Sequence, residues 1–362
     1  MAGADVVVIG GGLVGAALAF ELTELGAQVT VVDRRDVGRA TDAGAGILSP
    51  ATIFDDDDAW LDLCEAAARH HEWLATRFDT SWSRCGSLSL ACRESDLAAL
   101  RLLSDQAERR GSQVVDITPD EARDRLPILG HVEAAMWNPH AARLDGRRCC
   151  AALLDASRAG GVTVIDGDVR RLVIERERVA ALELDGSGRL GCDAIVVAGG
   201  AWSRTFAEQL GGELGVRPLR GQILHLGVDR TDTASWPIAQ PVFGHYLVSW
   251  PDSRVAVGAT YEDVGFDPRI TAGGLAEVLR EALRVAPGLA TATMIEARVG
   301  LRPGSTDDRP FLGRLPRIEN AFVATGHGPE GLLLGPLTAR IVAQQIAGVE
   351  PDRDLAAFDP RR

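Results

Sequence analysis

Gly10, Gly12 and Gly15 have the spacing that holds a pyrophosphate. The segment Gly10-Gly11-Gly12-Leu13-Val14-Gly15 follows directly on Val6-Val7-Val8-Ile9, a β-branched run suited to a strand buried on both faces of a parallel sheet. Residues 16–25 then read as a helix, and residues 29–32 as a second strand ending at Asp33. Each position has its own physical task. Gly10 permits the tight turn, Gly12 brings backbone to a phosphate with no Cβ in the way, and Gly15 lets helix and strand pack closely. The helix N-terminus adds unpaired N–H groups and the positive end of the helix dipole. Asp33, eighteen residues beyond Gly15, is placed for a carboxylate to accept both hydroxyls of a ribose. The unit is read as a dinucleotide site, for NAD or FAD. Arg34-Arg35 suggests a ribose 2′-phosphate, but Asp33 repels one, which leaves the arginines to solvent or to the pyrophosphate.

The other reactive residue types point away from several functions. A net charge of −13 over 362 residues is a poor match to nucleic acid, whose phosphates need clustered Lys and Arg. Asp55 to Asp58 lack the interleaved Gly or Asn of a cation loop and read as a solvated acidic turn, so no metal is expected. Cys64, Cys85, Cys92, Cys149, Cys150 and Cys192 show neither metal-ligand nor disulfide spacing, and most of them read as small buried thiols of a reducing cytoplasm. Cys149 and Cys150 adjoin, which invites a redox role, but helix packing accounts for them more simply. No apolar run reaches the roughly 20 residues that span a bilayer. Met1 to Asp5 lack the basic-then-apolar order of an export signal. The expectation is a globular cytoplasmic protein of about two domains.

These groups need elements to position them. Helices are expected over 59–78 and 95–111, and another opens at Arg143-Leu144-Asp145-Gly146 and runs to about residue 159. Short strands follow at 162–165 and 169–173, then a hairpin around Asp185-Gly186. A buried strand, Ala194–Val197, ends in Ala198-Gly199-Gly200-Ala201-Trp202 and reads as a return of the chain to the nucleotide domain. From 219 to 258 the pattern is β-rich, and helix resumes over 275–285. A strand at 321–325 leads into Gly326-His327-Gly328-Pro329-Glu330-Gly331 and a last helix over about 335–346. With no repeat and no low-complexity linker, the domains are expected to be interwoven rather than sequential.

Taken in order, these segments resemble the FAD-dependent D-amino-acid oxidase superfamily, and within it the glycine oxidase and D-amino-acid dehydrogenase branch. The resemblance runs nearly end to end. Thr41-Asp42-Ala43-Gly44-Ala45-Gly46-Ile47-Leu48-Ser49-Pro50 is similar to the family's alanine/glycine-rich loop near the flavin. Further matches are Val196-Val197-Ala198-Gly199-Gly200-Ala201-Trp202-Ser203, and Val257-Gly258-Ala259-Thr260 with Gly265-Phe266-Asp267. Gly300-Leu301-Arg302-Pro303-Gly304, Pro310-Phe311-Leu312-Gly313 and Gly326-His327 complete the series.

The resemblance implies an α/β fold, α+β overall. A Rossmann-like FAD-binding domain is interwoven with a substrate domain built on a large mixed or antiparallel sheet. Segments 1–80, 140–215 and 300–362 fall to the first domain, and 81–139 and 216–299 to the second. It also implies FAD, without a covalent bond because no cysteine lies near the final loop. The implied reaction oxidises the C–N bond of a small amino acid or amine, such as glycine, sarcosine or a D-amino acid. Hydride passes from the α-carbon to flavin N5, and the imine hydrolyses to an oxo acid. Two alternatives stay open: a catalytic subunit of an opine-type dehydrogenase, and a 2-hydroxy-acid dehydrogenase. Oxygen, a quinone or a partner subunit is admitted as electron acceptor, and so is a homo-oligomer.

By motif match, Arg302 is the arginine that grips the substrate carboxylate, through a planar guanidinium able to pair both oxygens. Tyr246, twelve residues before Gly258, matches a carboxylate-binding tyrosine, and Tyr261 beside a matched motif is the third substrate-site candidate. His245, if it shares a strand with Tyr246, faces the other way. Implied FAD contacts in the first nucleotide unit are Gly10, Gly12, Leu13, Val14, Gly15, Asp33 and Arg34. The following loop supplies Thr41, Ala45, Gly46 and Ile47, and the middle of the chain Val169, Ala198, Gly199 and Trp202. Arg302, His327, Gly328, Gly331 and Leu332 complete the set, with His327 acting through its backbone. No side-chain base is expected, since a neutral amine releases hydride directly. Two positions depart from the family. Asp42 stands where many relatives have a Ser facing the pyrophosphate, so it turns away, pairs with Arg39, or marks a different loop. Pro329-Glu330 replaces residues that in glycine oxidase-like members can be basic and help hold an anionic substrate.

Overall fold

The β-branched run at the N-terminus becomes the strand Asp5–Ile9, near the middle of a six-stranded sheet. Across that sheet the order is Phe311–Arg314, Ala321–Thr325, Ala194–Val197, Asp5–Ile9, Gln28–Asp33 and Thr163–Asp166. All neighbours are parallel except the pair Phe311–Arg314 and Ala321–Thr325. The run is continuous rather than alternating because both faces are covered. Val6 and Val8 pack into a core with the helices Leu13–Glu24, Gly146–Ala159 and Gly331–Ile346. Val7 and Ile9 point into a second core, under a three-stranded antiparallel sheet of Val169–Glu175, Arg178–Leu184 and Gly188–Gly191. The computed structural model describes residues 3–186, 188–211 and 214–362. Met1 and Ala2 of the opening stretch, and Ser187 beside the Asp185-Gly186 turn, lie outside it.

The second large sheet has eight strands, in the order Thr293–Ser305, Val216–Gly227, Arg254–Gly258, Tyr246–Trp250, Ile238–Pro241, Ser87–Ala91, Ala134–Asn138 and Val115–Ile117. It is mixed, since Ile238–Pro241 and Ser87–Ala91 run parallel. The helix Ala272–Val285 lays Val278, Ala282 and Val285 on one face, against Leu224, Leu247, Val255 and Val257. Thr293–Ser305 pairs along its length with Val216–Gly227, and residue 300, the expected domain boundary, falls inside this strand.

Helices Asp58–Arg77 and Leu97–Arg109 agree with their expected ranges. Patterning does not reveal Ser87–Ala91, because its buried serines interrupt the apolar run; Ser87 Oγ is satisfied by Ser49 Oγ at 3.0 Å. The acidic turn differs from expectation. Asp55 is not simply solvated: Arg309 donates to both of its oxygens at 2.8 Å. Asp57 caps the following helix by accepting from the Ala59 and Trp60 N–H groups. The cysteines are all free, and burial pushes the Cys149 and Cys150 thiols up to about 12, so their adjacency reflects packing. Among the described residues, no helix is long and apolar enough to cross a membrane.

Candidate active site

The glycine turn is held by backbone on every side. Gly10 has φ +109°, its N–H donates to Val32 O at 2.8 Å, and a Cβ there would lie 2.5 Å from Ala198 O. A Cβ on Gly15 would fall 1.8 Å from Gly10 O, so helix and turn touch only because Gly15 has none. Gly12 is the N-cap of the helix Leu13–Glu24 and brings no capping side chain of its own. The Leu13 N–H donates to Thr41 Oγ1 at 3.0 Å, which ties the alanine/glycine-rich loop to the turn.

This turn forms one wall of a cavity of about 340 Å³. The cavity also meets Asp33, Arg34, Thr41, Ala45, Gly46 and Ile47, and Val169 with Ala198, Gly199 and Trp202. Residues 327, 328, 331 and 332 close it, with Tyr246 and Arg302. Gly15 lies behind the wall, where its role is packing. Tyr261 is not brought to the cavity. The strand ends at Gly258, the chain turns outward, and Tyr261 is 61% exposed with its ring 5.8 Å from the Arg302 guanidinium.

Charges near the turn are already paired. Arg39 donates Nη1 to Asp33 Oδ2 at 2.8 Å, and Nε and Nη2 to Asp42 at 3.0 and 3.3 Å. Of the geometries open to Asp42, the structure has the pair with Arg39. Arg34 reaches the cavity wall but is held by Asp36 at 2.7 Å and Asp168 at 3.4 Å.

Arg302 sits on Thr293–Ser305 opposite Leu219, with its guanidinium flat against Gly221. A Cβ on Gly221 would lie 2.4 Å from Nη1. Nη1 donates to Thr260 O at 3.0 Å, and the guanidinium lies beside the Tyr246 phenol, on which its charge acts. Thr260 is itself anchored: Oγ1 accepts from the Gln222 N–H at 2.9 Å and donates to Glu262 Oε1 at 2.7 Å. The bond from Arg220 holds the Glu262 carboxyl down at about 2, so this support stays charged. His245 lies 3.4 Å from Glu277, away from the cavity that Tyr246 meets. The His327 imidazole bonds Thr338 Oγ1 at 2.9 Å, and burial lowers it to about 4, so it is neutral.

Gln240, Ile223 and Ile53 also meet the cavity, and sequence reasoning misses them. Gln240 arrives through the parallel pairing of Ile238–Pro241 with Ser87–Ala91, a long-range contact with no local signal.

The DAO family, described as FAD dependent oxidoreductase, matches residues 5–345. The chain belongs to this family, and FAD is its cofactor. It is 35% identical to the uncharacterised oxidoreductase YurR of Bacillus subtilis, over 98% of each chain. It is 30% identical to a glycine oxidase of Pseudomonas putida, again over 98% of each. Among solved structures, iminodiacetate oxidase (IdaA) from Chelativorans sp. BNC1 superposes with a TM-score of 0.93 at 35% identity, covering 98% of each chain. The residues present suit the cofactor. A helix start with glycine at its N-cap lies beside glycines whose backbone meets the cavity, and an acidic side chain stands at the end of the second strand.

Proposed function

We propose that this oxidoreductase acts on the C–N bond of a small amino acid or amine, giving an imine that water hydrolyses to an oxo acid. The observation that carries the reading is that Arg302 and Tyr246 converge on the same cavity as the dinucleotide turn. The similarity to a glycine oxidase and to iminodiacetate oxidase supports it. Bound FAD supplies the acceptor for a hydride from the substrate α-carbon.

The chain's own residues bind and orient. Arg302, with Nη1 committed to Thr260 O, offers its remaining N–H groups to a carboxylate, and the Tyr246 hydroxyl adds a donor. Two contacts on one carboxylate fix the α-carbon, which is where an enzyme gains most from positioning. Ile53 and Ile223 present apolar surface to the cavity and displace water from the bound substrate. The test is product analysis: the holoenzyme should release oxo acid and ammonia, or amine, in equal amounts. Oxidation of 2-hydroxy acids alone would overturn the reading.

Gly10, Gly12, Leu13, Val14, Asp33 and Thr41 would hold the cofactor, with Asp33 toward its ribose. Asp33→Ala should raise the dissociation constant for FAD at least about tenfold, roughly 1.4 kcal/mol. Fluorescence titration of the apoprotein measures it, and unchanged affinity removes Asp33 from that role.

A further inference from the structure

Seven charged side chains meet the cavity, and five of them are ion-paired: Asp33, Arg34, Asp36, Arg39 and Asp168. Among the described residues, Arg302 and Glu330 have no ion-pair partner. They form no ion pair with each other, although Arg302 pulls on the Glu330 carboxyl. The cavity wall therefore carries one cation and one anion without an ion-pair partner, which is the complement of a zwitterion.

Glu330 is held in place by its backbone. It ends the short turn Gly328–Glu330, where its N–H donates to His327 O at 3.1 Å, and directly precedes the helix Gly331–Ile346. That turn packs on Thr293–Ser305, the strand that carries Arg302. Glu330 is half-buried at the cavity, and none of the described residues hydrogen-bonds its carboxylate. Burial raises it to about 7, against the pull of Arg302. The titratable and charged groups that act on it are Arg302, on the strand Thr293–Ser305, and Cys64, on the helix Asp58–Arg77. His327 is turned toward Thr338.

We propose that Glu330 is the acidic pole of the substrate site: it receives the protonated nitrogen of an amino acid whose single carboxylate lies on Arg302, takes one proton from it, and turns away substrates with a second carboxylate. In that step an N–H bond breaks, its electron pair stays on nitrogen, and an O–H bond forms on Glu330. No further reactant is needed. The neutral amine then carries the lone pair that supports departure of hydride, so the α-hydrogen itself needs no side-chain base. A dicarboxylate meets a like charge here, which disfavours it. This inference rests on the amino-acid reading above, and it predicts poor use of iminodiacetate.

The experiment compares wild-type holoenzyme with Glu330→Gln and Glu330→Asp, each checked for full flavin content. With glycine or sarcosine, wild-type kcat/KM should rise with pH through about 7, because only the carboxylate accepts the proton. In Glu330→Gln this limb should move up to the ionisation of the substrate's own amine, since only the free base then reacts. At pH 7 that variant should lose at least about 100-fold, and Glu330→Asp should recover part of it. A second readout needs no turnover. Diglycolate and methoxyacetate, ether analogues with two carboxylates and one, are titrated against the flavin spectrum. Wild type should prefer methoxyacetate, and Glu330→Gln should bind diglycolate about tenfold more tightly. An inflection near 7 that survives in Glu330→Gln, or unchanged diglycolate binding, overturns the proposal. If no amino acid reduces the wild-type flavin, the amino-acid reading fails; unchanged diglycolate binding with normal turnover sinks Glu330 alone.

Discussion

Arg302→Ala should lower kcat/KM for the amino-acid substrate by about 30- to 5,000-fold, or roughly 2–5 kcal/mol of transition-state binding. The size follows from what the side chain faces. Its guanidinium is wedged on Gly221 and tied by Nη1 to Thr260 O, and Thr260 is fixed in turn by Gln222 and Glu262. A carboxylate that docks there loses water and meets donors that are already aimed. With alanine in place, the same carboxylate is desolvated and unpaired. Arg302→Lys should recover only part of the loss, because an ammonium cannot reproduce the planar fork. Steady-state kinetics with the best small substrate measures this, and a change below about threefold would contradict the assignment.

Gly15→Ala should abolish stable FAD binding and cost about 3 kcal/mol or more in stability. The new Cβ would fall 1.8 Å from Gly10 O, and that oxygen belongs to backbone, so no side chain can swing aside. Gly10 has nowhere to retreat. It is bonded to Val32 O on one side and set against Ala198 O on the other. Helix Leu13–Glu24 would have to move off the sheet, taking its N-terminus away from the cavity. Because Gly15 does not meet the cavity, lost flavin would report displaced geometry rather than a deleted contact. Flavin content and melting temperature measure it; a variant that keeps full flavin would show the turn to be adjustable.

What could be read in advance followed the range of the physics. The glycine turn and Asp33 form a local unit, in which strand, turn, helix and acid are adjacent in the chain and each constrains the next. A motif match picks Tyr246, and alternation sets His245 on the other side; His245 falls just outside the strand Tyr246–Trp250, yet the two do diverge, toward Arg302 and Glu277. Tyr261 is a candidate for its place beside a matched motif; the strand stops at Gly258, and the chain leaves Tyr261 exposed with its ring 5.8 Å from the Arg302 guanidinium. Gln240 was hidden for another reason: its place depends on a parallel pairing with Ser87–Ala91, and neither short segment declares its partner. Asp42 appeared unfavourable beside a pyrophosphate, and only the position of Arg39 shows how that charge is neutralised. Glu330 was visible as a departure from the family, but its lack of a partner is a property of the folded cavity.

The most direct test of the central claim is anaerobic reduction of the bound flavin by glycine, sarcosine, D- and L-amino acids and 2-hydroxy acids, followed by absorbance. Bleaching by glycine, sarcosine or a D-amino acid, with oxo acid or its aldehyde equivalent as product, is the result predicted here. A flavin that stays oxidised with every amine, or bleaches only with a 2-hydroxy acid, would contradict it.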